Sequence, residues 1–335
     1  MSIPFSILDL APIGEGQTVA DAISNSKALA QCAEAHGYQR IWLAEHHGMR
    51  GIASAATAVM LAAIGSVTQR IRIGSGGVML PNHAPLVIAE QFGTLAEMFP
   101  DRVDLGLGRA PGTDMATARA LRRNLGGPVD SYPEDVQELQ GYFADENKIK
   151  PVIAMPSQGT QVPIWLLGSS LYSAQLAAYM GLPFSFASHF APDMLLEALD
   201  IYRANFRPSA QLDKPYVSAG VMASVADTDA QAQYHFTSAQ IKFAHLRRNA
   251  NRPFPEPVHD LQSALLATEM PMINQTLRYA MVGAPETVQQ RLAQFIELTG
   301  VDEIIFSFPL HDPAARLKAI ELTAGLSLMQ KQAWS

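Results

Sequence analysis

Short apolar runs alternate along the chain with longer segments whose apolar residues recur at helical spacing. The runs predict buried parallel strands, and the periodic segments predict the helices that connect them. The predicted strands cover residues 5–9, 40–44, 71–76, 103–107, 163–167, 182–187, 215–225 and 303–308. The principal predicted helices cover residues 17–36, 53–67, 84–98, 114–123, 133–146, 193–206, 228–248, 285–299 and 313–329.

The eight predicted strands form one alternation, with no change of spacing that would divide them between two sheets. This pattern is typical of a (β/α)8 TIM barrel, in which ligands bind at the C-terminal ends of the strands. We therefore predict a single α/β domain over residues 1–335, with insertions after strands four and seven. The first insertion covers about 113–162, and the proline-rich segment at about 249–273 predicts a lid. An open doubly wound sheet is the alternative fold.

Composition and charge narrow the class of protein. A chain of 335 residues that is 48% hydrophobic and 16% charged predicts a large compact core. The net charge of −7 argues against a protein that binds nucleic acid through its phosphates. The single cysteine, Cys32, leaves no disulfide framework, and no apolar stretch reaches about eighteen residues. With no signal peptide predicted either, we expect a cytoplasmic protein with no membrane association.

Two glycine-rich turns follow the third and fourth predicted strands. Gly76 and Gly77, at the end of the third, would let a flat ligand approach the main chain. The turn after the fourth carries Arg109 and is stiffened by Pro111. We predict that Arg109 and Arg119 converge on an anion. Two tight turns with a surface arginine are the alternative, whereas a dinucleotide fingerprint is disfavoured because its spacing does not match.

The fifth predicted strand runs into a turn of small residues that opens a helix ending at Met180. Amides at a helix start lack acceptors within the helix, and the helix dipole favours negative charge there. The turn at Gly168, Ser169, Ser170 and Ser173 therefore predicts an anion site in which the hydroxyl groups add donors. The alternative is a serine N-cap that serves only the helix.

A carboxylate and two histidines follow the second predicted strand at Glu45, His46 and His47. Adjacent residues of an extended chain point to opposite sides, which argues against one metal ion shared by both histidines. A ligand-facing acid–base histidine and a structural hydrogen-bonded pair are the two remaining interpretations. From the residues alone both interpretations stay open, and no metal site is predicted.

Four stretches carry a resemblance to a known family: WLAEHHG at 42–48, residues 73–95, GLGRAPGTD at 106–114 and residues 166–183. Over almost its whole length, the chain resembles the bacterial luciferase-like flavin-dependent monooxygenases. The segments LDLAPI near the start and SHFAPDM at 188–194 resemble a non-luminescent bacterial branch of that family.

The resemblance implies a TIM barrel that binds FMN. Gly76 and Gly77 match a non-prolyl cis peptide of the family. Glu45 and His46 match a pair near the flavin, in which His46 takes the place of a base that assists oxygenation, so the resemblance implies both as catalytic residues. The positions that match the family's phosphate site are Arg109, Arg119, Ser169, Ser170 and Ser173. Gly108 stands where luciferase has a reactive cysteine, so neither light emission nor a long-chain aldehyde substrate is expected.

The implied reaction is a monooxygenation in which reduced FMN and O2 form a C4a-peroxyflavin that oxidises an organic substrate. A separate NAD(P)H-dependent flavin reductase would supply the reduced FMN. An apolar substrate is suggested by six side chains of the rim and lid, which are Phe243, Phe254, Met270, Met272, Phe306 and Phe308.

Two other functions and one assembly remain open at this stage. A deazaflavin (F420)-dependent oxidoreductase could use the same turns, and a non-catalytic flavin-binding protein could share the fold. The predicted helix at 53–67 is rich in small residues, which would allow close packing of a second copy in a homodimer.

Overall fold

A computed structural model describes residues 2–110, 115–121, 131–146, 148–149 and 151–332. Strands and helices alternate through these ranges. The strands are β1 (Phe5–Asp9), β2 (Arg40–Leu43), β3 (Arg72–Met79), β4 (Val103–Gly108), β5 (Ile164–Gly168), β6 (Phe184–Phe186), β7 (Val217–Val225), β8 (Met281–Gly283) and β9 (Glu303–Ser307). The helices are α1 (Val19–Ala35), α2 (Thr57–Gly65), α3 (Pro85–Met98), α4 (Met115–Leu121), α5 (Tyr132–Phe143), α6 (Leu171–Met180), α7 (Leu195–Asn205), α8 (Asp229–Arg247), α9 (Leu261–Ala264), α10 (Glu269–Thr276), α11 (Pro285–Thr299) and α12 (Pro313–Ala324).

Eight of the strands close into a parallel barrel. Strands β1 to β6 pair in sequence order, β6 pairs with β7, β7 pairs with β9, and β9 returns to β1. The closing register places Phe5 opposite Ile304 and Ile7 opposite Phe306. The predicted (β/α)8 barrel is therefore confirmed, and the open doubly wound sheet is wrong. Across the described residues, no helix combines the length and hydrophobicity needed to cross a bilayer.

The sequence prediction of eight strands omits β8. This strand has three residues and pairs with Ala223, Ser224 and Val225 at the C-terminal end of β7, beyond the residues of β7 that pair with β9. A run so short gives no periodicity by which to recognise it. The segment at 249–273 also differs from the irregular chain expected, because it contains α9 and most of α10.

A buried ionic network crosses the N-terminal end of the barrel. The Arg40 guanidinium donates from Nε to Glu303 Oε1 at 2.9 Å and from Nη1 to Asp104 Oδ2 at 2.7 Å. Trp42 Nε1 and Arg72 Nη2 also donate to the Asp104 carboxylate, at 3.2 and 2.6 Å. The charges of β2, β4 and β9 are thus paired at the end of the barrel that usually serves stability rather than catalysis.

The pairing determines how these groups ionise. Burial alone would lower the pKa of Arg40, but Glu303 and Asp104 outweigh burial and raise it. Burial alone would raise the pKa of Asp104, yet the charges of Arg40 and Arg72 hold it below its usual range. The network therefore stays charged inside the barrel because each buried charge has a partner.

Candidate active site

The C-terminal ends of the eight barrel strands surround a cavity of about 760 Å³. Every barrel strand contributes to its wall, from Leu8 in β1 and Trp42 in β2 round to Gly220 in β7 and Ile305 in β9. The volume falls within the range of about 300–1,000 Å³ that is typical of ligand and cofactor pockets. The cavity thus offers room for a flat cofactor at the usual ligand-binding end of a TIM barrel.

Most of the predicted site residues meet at this cavity. The wall includes His46, Gly76, Gly77, Arg109, Gly168, Ser169, Ser170 and Ser173. Glu45 is buried and does not line the cavity, and Arg119 is exposed on α4 and does not line it either. Residues 111–114, which include Pro111, lie outside the described residues.

The end of β3 gives the cavity a stretch of wall without side chains. The peptide bond between Gly76 and Gly77 is cis, in agreement with the family resemblance. A Cβ on Gly77 would lie 2.7 Å from the carbonyl oxygen of Gly106, and one on Gly76 would lie 2.7 Å from Leu8 Cδ1. A side chain on Gly77 would therefore clash with the backbone of β4, and one on Gly76 would displace Leu8. Glycine at both positions leaves the main chain open to a flat ring.

A cation lies beside the start of α6. The Arg109 guanidinium packs over the ring of Tyr172, 4.2 Å from its centroid, and Tyr172 belongs to the first turn of that helix. Ser170 is the N-cap residue, but its side chain makes no capping hydrogen bond, and its Oγ lies 3.5 Å from Ser173 Oγ. These contacts favour the anion-site interpretation over a serine that serves only the helix.

Glu45 joins the ends of β2 and β3. Its Oε1 accepts hydrogen bonds from His47 Nε2 at 2.7 Å and His83 Nε2 at 2.8 Å, and its Oε2 accepts from the Met79 amide at 3.1 Å. Burial alone would raise the pKa of Glu45, but the hydrogen bonds from His83, His47 and Met79 lower it below its usual range. His46 lines the cavity while His47 is bonded to Glu45, so the two adjacent histidines serve different roles.

The cluster of Glu45, His47 and His83 also has the composition of a metal site. Its candidate ligand atoms lie within 4.8 Å of one another. The two histidine Nε2 atoms and the Glu45 Oε1 atom are already joined by hydrogen bonds of 2.7 and 2.8 Å. The same three side chains thus form a hydrogen-bonded network that joins the ends of β2 and β3.

His189, which the sequence analysis did not single out, also lines the cavity. Its Nδ1 atom is buried and has no hydrogen-bond partner among the described residues. The ring occupies space that a Cβ on Gly220 would fill. His46 follows β2 and His189 follows β6, and the two side chains are close enough for His46 to affect the pKa of His189. The signal available in the sequence was the SHFAPDM motif immediately after a predicted strand.

The acid stability of the protein should report on His189. Burial, and then the nearby His46, lower the pKa of His189 to about 4. As the pH falls from about 6.5 to about 4, the unfolded chain binds a proton that the folded protein does not, so stability decreases over that interval. We expect His189→Gln to lessen this decrease, measured as the change in urea midpoint between about pH 7 and about pH 5. An equal change in the exposed control variant His259→Gln would contradict the assignment.

The side chains predicted to contact substrate divide into two groups. Phe243, Phe254 and the buried Phe308 line the cavity, whereas Phe306, Met270 and Met272 do not. Phe306 instead packs in the core, with its ring 5.0 Å from that of Phe5. The cavity wall is nonetheless mainly apolar, as the expected class of substrate requires.

Comparison with known proteins gives matches over nearly the whole chain. The family model described as luciferase-like monooxygenase matches residues 3–303. A luciferase-like monooxygenase of Escherichia coli strain K12 is 49% identical over 321 residues, which are 96% of each chain. Sequence similarity at this level indicates a shared family as well as a shared fold.

Two solved structures show the same architecture. The crystal structure of apo-MsnO8 superposes with a TM-score of 0.89 at 32% identity and covers 98% of this chain and 100% of its own. The oxygenating constituent of 3,6-diketocamphane monooxygenase from Pseudomonas putida, in complex with FMN, has a TM-score of 0.71 at 17% identity, with 97% of both chains covered. The second similarity concerns the fold alone.

Proposed function

The chain belongs to the luciferase-like monooxygenase family, and from this premise we propose that it uses reduced FMN and O2, through a C4a-peroxyflavin, to oxidise an apolar organic substrate. The observation that carries the proposal is the meeting of Arg109 and the start of α6 at a cavity walled by Gly76 and Gly77. A structural neighbour in complex with FMN supports a flavin as the cofactor. The flavin, when bound, supplies the oxygen chemistry.

Each part of the wall has a role in this proposal. Arg109 and the first amides of α6 hold the phosphate, because an arginine fork and a helix N-terminus both bind phosphoryl oxygens. Gly76 and Gly77 let the ring lie against the main chain. Apolar side chains, among them Trp42 and Phe308, exclude water from the ring.

The histidine at the cavity wall supplies proton chemistry. The His46 imidazole can hold or release a proton next to the ring, which no apolar wall residue can do. Glu45 does not line the cavity and acts as a positioning residue, since its bonds to His47 and to the Met79 amide fix the chain on either side of the site. This revises the sequence prediction that Glu45 is catalytic.

The proposal includes two partners. A separate NAD(P)H-dependent reductase delivers reduced FMN, as the family resemblance implies. A second copy of the chain packs on α2, whose Val59 is 71% exposed.

Rapid mixing tests the function. When the complex with reduced FMN is mixed with O2, we expect a transient near-ultraviolet absorbance from an oxygenated flavin before oxidised flavin appears. His46→Ala should shorten the lifetime of this transient and increase the hydrogen peroxide released per flavin, with little change in FMN affinity, because proton control at the ring is lost. Stopped-flow absorbance and a peroxide assay measure both effects.

Binding titrations with reduced cofactors, together with the rapid-mixing experiment, distinguish the other two functions. Tight binding of reduced deazaflavin F420, with no binding of reduced FMN, would establish the deazaflavin-dependent alternative. FMN binding with no transient and no oxidised product would indicate a flavin-binding protein without turnover. A large loss of FMN affinity in His46→Ala would identify His46 as a binding residue.

A further inference from the structure

One side of the cavity carries positive charge that no described lining residue balances. Lys242 and Arg247 of α8 line it, and no aspartate or glutamate is among the described lining residues. Arg316 also lines the cavity, but Asp9 pairs with it at 2.8 Å. Arg109 is the cation of the α6 side and is assigned above to the cofactor phosphate. Among the residues that the structure describes, Lys242 and Arg247 thus have no acidic partner.

Lys242 is the better candidate of the two for an anion site because it is partly buried, whereas Arg247 is exposed. Its Nζ donates to the carbonyl oxygen of Arg252 at 2.9 Å, and no described carboxylate forms an ion pair with it. Burial lowers the pKa of Lys242, as expected for an ammonium with incomplete compensation. An ammonium has three donors, and one hydrogen bond leaves two for a ligand.

The surroundings hold the Lys242 ammonium in place. A Cβ on Gly51 would lie 2.9 Å from Nζ, so the glycine keeps that space open. The loop that carries the accepting Arg252 carbonyl is itself fixed. Asn251 Nδ2 donates to the Gly48 carbonyl oxygen at 2.6 Å, and the Phe254 amide donates to the Ile13 carbonyl oxygen at 2.8 Å. A cation fixed in this way can bind an anion at a small cost in side-chain entropy.

The chemistry around Lys242 combines this charge with apolar surface. Met222, Phe243, Leu246 and Phe254 line the same cavity. We propose that Lys242 forms a second anion subsite and that the substrate is an apolar molecule bearing a carboxylate. The proposal deepens the proposed monooxygenase function by naming the class of its substrate as an organic acid. The acidic chain, with its net charge of −7, would otherwise repel such an anion.

Calorimetric titration with octanoate and octanamide tests the subsite on the full-length, flavin-free protein. These probes share an apolar tail and differ in charge. We expect octanoate to bind more tightly, and Lys242→Met to weaken octanoate by about tenfold or more while leaving octanamide nearly unchanged, because only the charge-assisted contact is lost. Methionine keeps most of the apolar stem. Lys214→Met, at an exposed position outside the cavity, is the matched control and should bind both probes as the wild type does.

Other outcomes would overturn the subsite. They are equal affinity for acid and amide, no binding of either at millimolar concentration, or loss of octanoate binding in Arg109→Ala but not in Lys242→Met. If Lys242→Met instead weakens FMN but not riboflavin, the anion held is the cofactor phosphate, and the substrate assignment fails. If wild-type protein binds octanoate but not FMN, the subsite stands and the flavin function fails, so the two failures are distinguishable.

Discussion

Arg109→Ala should weaken FMN binding by about ten- to a hundredfold and riboflavin binding much less. The guanidinium lies over Tyr172 at the start of α6, where it can reach a phosphate held by the helix amides. Hydrogen bonds to a charged group contribute about 1.5–3 kcal/mol, and riboflavin lacks the phosphate that would make them. Quenching of flavin fluorescence in titrations with both ligands measures the two dissociation constants.

Three further variants sharpen this result. Arg109→Lys keeps the charge but loses the planar fork and the packing on Tyr172, so it should bind FMN with intermediate affinity. Arg119→Ala, alone and with Arg109→Ala, tests the second arginine, which is exposed and does not line the cavity. If Arg119→Ala binds FMN as the wild type does, the family position does not transfer to this chain. Equal weakening of FMN and riboflavin by Arg109→Ala would refute the phosphate site.

The barrel and much of its rim could be predicted because both depend on local sequence. Each barrel strand is an apolar run, and the residues that follow parallel strands must meet at one end of the barrel. Gly76 and Gly77 lie in the C-terminal half of β3, and Ser169 and Ser170 directly follow β5, so their place at the cavity follows from the topology. Arg119 lies farther along the chain from the end of β4, so the position of that strand does not determine where Arg119 lies.

The remainder could not be predicted because it depends on distant partners. Arg40 and Glu303 are 263 positions apart, and each reads in the sequence as a charge at the start of a strand, where solvent exposure is the ordinary expectation. His189 owes its place to Gly220, on the next strand, and Lys242 owes its place to Gly51, which is distant in sequence. Periodicity predicts which positions are buried, but not which two buried groups meet.

Arg40→Met should lower the free energy of unfolding by about 3–5 kcal/mol, the usual effect of removing one partner from a buried ion pair. The variant leaves Glu303 and one side of Asp104 buried without the cation that compensates them. The free energy of unfolding in urea, measured near pH 7, gives the size of the effect. Arg72→Met is the control, since Arg72 is more exposed and Asp104 keeps Arg40, so the loss should be much smaller.

The sign of the charge effect can be tested by removing the opposite partner as well. In Arg40→Met, Glu303→Gln removes the unpaired negative charge. Its amide oxygen can accept from one of the two hydroxyl groups that bond to Glu303 in the wild type, those of Ser6 and Tyr216, while its NH2 group donates to the oxygen of the other. The double variant should therefore be more stable than Arg40→Met alone, because a buried unpaired carboxylate costs more than a neutral amide. Acid gives an independent check in the wild type. The lowered pKa of Asp104 adds stability above the ordinary aspartate pKa, and that contribution is lost as the pH falls through the folded value. If Glu303→Gln destabilised Arg40→Met further, shape and packing rather than charge would hold this end of the barrel together.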